Sequence, residues 1–177
     1  MKLVPGFDEH GVLPDGVHKC AEEGFKQRFV DEFPESGTRP RLHQGFRALR
    51  EEVVKHGPPG VQWVDGSFVT TKLNPGDIDI VTFMDLERLN ALSQGDQAAV
   101  ERLVKGMEYT KAAYGCHTFL VPSCEPNHPF YPKFEKRRRY WRKWFGKTRP
   151  GRPKGFVAMA LGDEEDIPEI SAERAPQ

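Results

Sequence analysis

Two carboxylates one residue apart, Asp77 and Asp79, open the apolar run Ile78-Asp79-Ile80-Val81-Thr82-Phe83, and a Gly66-Ser67 pair lies ahead of them. In an extended strand, residues two apart project from one face, so both carboxylates would converge there. Close like charges repel, and burying them unpaired is costly, so a cation belongs between them. Carboxylate oxygens suit Mg²⁺ or Mn²⁺, and Mg²⁺ commonly takes one or two protein carboxylates before water and substrate phosphates complete its octahedron. Glycine at position 66 lets a bulky anion approach the backbone, while exposed amides and the Ser67 hydroxyl can donate hydrogen bonds to phosphate. Lys72, in the polar stretch between, can add positive charge near those phosphates. Together these residues describe a cradle for a metal and a triphosphate. Asn74-Pro75-Gly76 are ordinary turn residues, and alone the acidic pair could merely lead into a half-exposed strand. The Gly-Ser pair at a suitable distance favours the site.

Such a cradle needs strands to hold it. Val61 to Val64 reads as a short strand running into the Gly66-Ser67 turn, and Asp77 to Phe83 as a second, central one, with Ile78, Ile80 and Thr82 on its other face. Leu42, Phe46, Leu49 and Val53 recur at helical spacing from Pro40 to His56, and Gly57-Pro58-Pro59 ends that helix. Asp96 is placed to cap another helix, in which Val100, Leu103, Val104, Met107, Lys111 and Tyr114 keep the period and Gly115 closes it. Cys116 to Pro122 reads as a third strand, stopped by the proline. After a loop over Pro126 to Pro132, "KFEKRRRYWRKWF" reads as a basic helix, "GKTRPGRPKG" as a turn-rich link and "FVAMAL" as a last strand. The order predicts an α/β (α+β) protein with a short mixed sheet flanked by helices. Residues 1–161 form one domain in this reading, beginning with an extended or turning arm (1–39) that holds a short helix over Cys20 to Phe29; 162–177 is an acidic, disordered tail.

The 177 residues carry 26 basic and 26 acidic side chains, but the balance is uneven along the chain. Lys133 to Lys154 contains eleven Lys or Arg and one acid, Glu135, while Asp163 to Glu173 contains six acids and no base. The basic stretch interleaves Tyr140, Trp141, Trp144 and Phe145, the mixture expected where phosphates are tracked and bases stack. Helical spacing predicts that some of these rings pack inward, and one or two of the arginines are candidates for holding triphosphate. The segment 133–154 is the candidate contact for RNA or a protein acceptor. No apolar run is long enough to span a bilayer and no secretory leader is evident, so a cytoplasmic protein without a membrane partner is expected. Cys20, Cys116 and Cys124 suggest no disulfide framework. Cys116, His117, Cys124 and His128 raise the question of zinc, but the two cysteines stand too far apart for a structural knuckle; buried thiols and a hydrogen-bonded histidine are the expectation. Motifs of serine hydrolases and P-loop nucleotide hydrolases are missing.

The run Gly66-Ser67, nine residues, Asp77-Ile78-Asp79-Ile80 resembles the signature of the nucleotidyltransferase superfamily with the DNA polymerase β-like fold: a hydrophobic residue, Gly, Gly or Ser, a spacer, then Asp-hydrophobic-(Asp or Glu)-hydrophobic. "GVLPDGVH", "WVDGSFVTTKLNPGDIDIV" and "YWRKWFGKTRPGRPKGFVAM" further resemble a bacterial family of small, uncharacterised nucleotidyltransferase-like proteins. The resemblance implies that Asp77 and Asp79 are catalytic and coordinate Mg²⁺ or Mn²⁺, and that Gly66 and Ser67 hold a nucleoside triphosphate (NTP). The implied reaction moves a nucleoside monophosphate onto a hydroxyl of RNA, protein or a small molecule, as in toxin-antitoxin or defence systems. Asp65 departs from the family pattern, which has a hydrophobic residue there. So does the next central strand, where the family's third carboxylate is replaced by Cys116-His117-Thr118. His117 is a candidate but softer ligand, and Asp65 and Glu125 are candidate substitutes for the missing acid. The alternative is a catalytically inactive module of the same fold that binds nucleotide, nucleic acid or a protein partner.

Overall fold

The structure, a computed structural model, describes residues 4–162. The acidic stretch expected beyond Gly162 lies outside the described residues. Five strands form one mixed sheet: β1 (Gly16–Lys19), β2 (Gly60–Asp65), β3 (Ile78–Asp85), β4 (Cys116–Ser123) and β5 (Gly155–Leu161), in the order β1-β5-β2-β3-β4. β2 runs antiparallel to both β5 and β3, while β1 is parallel to β5 and β4 is parallel to β3. Among the described residues six α-helices flank it: α1 (Glu22–Lys26), α2 (Arg39–His56), α3 (Leu86–Asn90), α4 (Gln94–Lys105), α5 (Met107–Tyr114) and α6 (Tyr131–Phe145). The expected α+β class with a mixed sheet is what the chain adopts. Among the described residues no helix is long and apolar enough to cross a membrane.

Strand alternation divides the core into two layers. Even positions Val64, Ile78, Ile80 and Met84 meet Leu42, Phe46, Leu49 and Val53 of α2 and Val100, Leu103 and Val104 of α4. Odd positions Val61, Trp63, Val81 and Phe83 meet Phe134 and Phe145 of α6, with Phe156 and Ala158 of β5. Asp65 and Asp79 continue these odd rows, so the second core gives way to carboxylates at one end of the sheet. That alternation is why an Asp can stand inside a hydrophobic strand.

Several boundaries differ from the sequence reading. The N-terminal arm is integrated: Val12 and Leu13 are buried and β1 pairs with β5 along residues 155–158. Ser93, not Asp96, caps α4; its Oγ accepts from the Asp96 amide at 3.1 Å, while the Asp96 carboxylate turns to His56 Nδ1 at 2.9 Å. A single helix through Tyr114 is broken at Gly106, and α5 closes at Gly115 with φ +69°. Pro122 does not stop β4, which continues to Ser123, because an edge strand tolerates a missing amide.

Candidate functional site

β2 ends at Asp65; Gly66 then turns the chain with φ +82°, and Ser67–Val69 follows as one 3₁₀ turn. In the ladder Asp65 stands opposite Asp79, and Asp79 opposite His117. Three adjacent strands therefore bring Asp65, Asp79 and His117 side by side on the α6 face. His117 Nδ1 lies 3.2 Å from Asp79 Oδ1. The other carboxylate oxygen, Oδ2, lies beneath Gly66, where any Cβ would approach it to 2.3 Å. Only glycine fits between the turn and the carboxylate, so Gly66 and Asp79 lie against one another. The Ser67 carbonyl accepts from Thr70 Oγ1 at 2.8 Å, which closes the turn; the Ser67 hydroxyl is engaged by nothing among the described residues.

Each acid has a cationic or imidazole partner. Asp77 Oδ2 receives Lys111 Nζ of α5 at 2.9 Å, and Asp65 Oδ1 is held by Lys154 Nζ. Desolvation raises the pKa of Asp79, and the Asp77 charge raises it further, against the lowering effect of its hydrogen bond with His117. Asp65 is pushed up to about 6, first by burial, with the Lys154 ion pair opposing it. The ion pair alone would depress that value; burial prevails because the side chain is only 8% exposed.

The shift at Asp65 predicts a pH dependence. Its folded-state pKa lies above the ordinary value of 3.8, so the native protein binds the extra proton between about pH 4 and pH 6. Stability from this group is present below that window and is lost as the pH rises through about 6. Urea midpoints of the native protein and of an Asp65→Asn/Lys154→Met variant should therefore diverge: the native protein's stability relative to the variant falls from pH 4 to pH 7. A difference independent of pH would remove the buried carboxylate from this account.

Lys154 and Lys111 are the lysines paired with the site's acids; the sequence places the first in the basic segment and the second on a helical period, and gives neither a place in the site. Lys154 lies 89 positions from Asp65, so no local pattern reveals it. Lys72 is exposed, and its backbone carbonyl accepts from Arg39 Nη2 at 2.7 Å. Arg39, fully buried, organises the whole segment: Nη1 donates to the carbonyls of Phe29 and Phe68, and Nη2 to those of Thr70 and Lys72, all at 2.7 Å. Glu125 follows the far end of β4, roughly 25 Å of extended chain from His117, and does not belong to the site. Asp65 does reach it. Cys116 is buried on the opposite face of β4 from His117, and His128 Nε2 meets Glu87 Oε1 at 3.0 Å beyond the other end of β3.

Among the described residues no group of three or more His, Cys, Asp or Glu side chains is arranged to hold a metal ion by itself. The donor set nevertheless fits a hard divalent cation of the kind that relies on substrate for its remaining ligands. Asp77 and Asp79 are both partly exposed, the Asp77 charge works against ionisation of Asp79, and Asp79 Oδ2 has no hydrogen-bond donor among the described residues.

The profile of a family of unknown function (DUF6932) matches residues 5–160, and the chain belongs to that family. Neither the search of curated proteins nor that of solved structures finds a match.

Proposed function

We propose that this member of the DUF6932 family is a metal-dependent nucleotidyltransferase that moves a nucleoside monophosphate from an NTP to a hydroxyl acceptor. The observation that carries the reading is the close approach of the Gly66 turn to Asp79 Oδ2, which sets the turn proposed for the triphosphate against one carboxylate of the acidic pair. Asp77 and Asp79 would hold Mg²⁺ or Mn²⁺, and Gly66 and Ser67 the triphosphate. A bound divalent ion supplies charge neutralisation for the phosphates and for the leaving pyrophosphate. The protein's own contribution is positioning. The acceptor oxygen attacks the α-phosphorus, the bond to the bridging oxygen of the β-phosphate breaks, and pyrophosphate departs.

The acceptor's proton needs a base. His117 stands across the ladder from Asp79 and is hydrogen-bonded to it through Nδ1. With Nδ1 protonated toward the carboxylate, Nε2 is the atom that accepts the hydroxyl proton, the role an oriented imidazole performs in acid-base catalysis. In this reading His117 acts as base, replacing the carboxylate that the resemblance leads one to expect on β4.

The test is a melting series with each of the four NTPs, with and without Mg²⁺ or Mn²⁺. A ligand at a hundred times its dissociation constant stabilises by about 2.7 kcal/mol, a shift of several degrees for a chain of this size. Stabilisation that requires both nucleotide and metal is expected. No shift with any nucleotide, from folded protein, would sink the proposal. The second reading, a nucleotide-binding module without catalysis, is favoured by the missing third carboxylate; stabilisation without pyrophosphate release on any acceptor would select it.

A further inference from the structure

α6 uses only part of its circumference to hold the fold. Phe134 and Phe145 are buried, and Trp141 packs against the same core. The flank beside that buried stripe leaves Tyr140 57% and Trp144 65% exposed, with their rings 8° from parallel and 6.4 Å between centroids. Two large exposed rings one helical turn apart, stacked on one another and open to water, contribute little to the core.

Their surroundings are cationic. Lys136, Arg137, Lys143 and Lys147 are exposed, and among the described residues none has a carboxylate at ion-pair distance. The helix's single acid, Glu135, is occupied by Arg138 and Arg139 at 2.8 and 2.9 Å. A merely solvated helix commonly interleaves both signs; this one gathers positive charge about aromatic faces.

The platform borders the site. Tyr140 contacts Trp141 at 5.3 Å between centroids, Trp141 contacts Phe119 at 4.4 Å, and Phe119 contacts His117 at 4.8 Å. His117 in turn holds Asp79. After α6 the chain makes a tight turn, with Lys147 bridged to Pro153, and enters the site directly as Lys154. Cations and rings thus run without interruption from the helix surface to the carboxylates.

Resting on the transfer reading above, we infer that α6 is its acceptor-binding surface and takes a single-stranded nucleic acid. The strand lays its phosphates along Lys136, Arg137, Lys143 and Lys147, stacks bases on Tyr140 and Trp144, and presents its terminal hydroxyl near His117. Flat ring faces suit bases of any sequence, and unpaired lysines suit a continuous phosphate chain. A duplex hides its base faces and does not suit the rings.

Fluorescence anisotropy tests this with the full chain, without NTP or divalent metal, against labelled single strands of RNA and DNA of matched sequence and against the duplex. Expected is binding to a single strand in preference to duplex, with a logarithmic salt slope of about −3, as four phosphate contacts give. Tyr140→Ala/Trp144→Ala should weaken it about tenfold or more at an unchanged slope. Lys136→Gln/Lys143→Gln should flatten the slope instead. All four side chains are exposed, so the urea midpoint of either variant should stay at the native value. A preference for RNA or for DNA names the acceptor. No binding at low salt, binding indifferent to the ring changes, or a dimer that disappears in the ring variant without any oligonucleotide binding would overturn the inference. Oligonucleotide binding that persists in a protein showing no metal-dependent NTP response would sink the transfer reading while leaving the surface intact.

Discussion

Asp79→Asn is expected to erase metal-dependent stabilisation by NTP while leaving the apo protein as stable as before, or more so. Asp79 is desolvated, faces the Asp77 charge, and has its pKa raised, so at neutral pH its ionised form works against the fold. Asparagine removes that charge and keeps an oxygen that can still accept from His117 Nδ1. Retention of a destabilising charge is the pattern of a functional group, where structure is held at some cost in stability. Any nucleotidyl transfer should fall by about 10²–10³-fold, the scale seen when one stabilising group is removed from a polar transition state. The paired melts decide the matter. An unchanged response to nucleotide and metal would remove Asp79 from the site, and a large loss of apo stability would make its role structural.

The largest effect on stability should come from Arg39. Its guanidinium is buried, has no carboxylate partner among the described residues and is held by four backbone carbonyls, with Cζ 3.8 Å from the centre of the Phe33 ring. Burial lowers its pKa to about 10, still far above neutrality, so it stays charged. Arg39→Ala leaves those carbonyls unpartnered in the interior and should cost about 3–5 kcal/mol. For a chain of this length that corresponds to a melting temperature lower by about 10 °C. Arg39→Lys keeps the charge but not the planar fork, so it should recover less than half of the loss. Hydrogen exchange gives the second readout. Amides of Thr70 to Lys72 should exchange faster in Arg39→Lys than in the native protein, because the guanidinium spans Phe68, Thr70 and Lys72 and stiffens the segment that follows Ser67. Arg39→Lys with native stability and native exchange would refute this positioning role.

Arg39 also illustrates what local pattern conceals. An arginine beside Pro40 at a helix start resembles any solvated charge, and its burial follows only when Phe29, Phe33 and Phe68 close around it. β1 was hidden for another reason. Four residues, Gly16 to Lys19, carry no apolar alternation strong enough to announce a strand, and their partner β5 lies about 140 positions later. The cap of α4 was misplaced by three residues because Ser93 and Asp96 both have capping chemistry; tertiary contact with His56 takes the Asp96 carboxylate and leaves the cap to Ser93.

The residues themselves determined a good deal. Strict alternation through Asp79, Val81 and Phe83 specified which side chains share a face, and heptad-like spacing in α2 specified a helix with one buried stripe, because both periodicities are properties of the backbone alone. They also specified that an acidic pair and a Gly-Ser turn stand at the ends of neighbouring elements. What only the tertiary structure decided is how the charges are answered: Lys154 beside Asp65, Lys111 beside Asp77, His117 against Asp79, and Trp141 turned inward while Tyr140 and Trp144 face water. Those pairings depend on strand register and helix docking between segments far apart in the chain, and the energy that selects them, burial of the two cores on either side of β2 and β3, is shared across the whole sheet rather than carried by any one stretch of sequence.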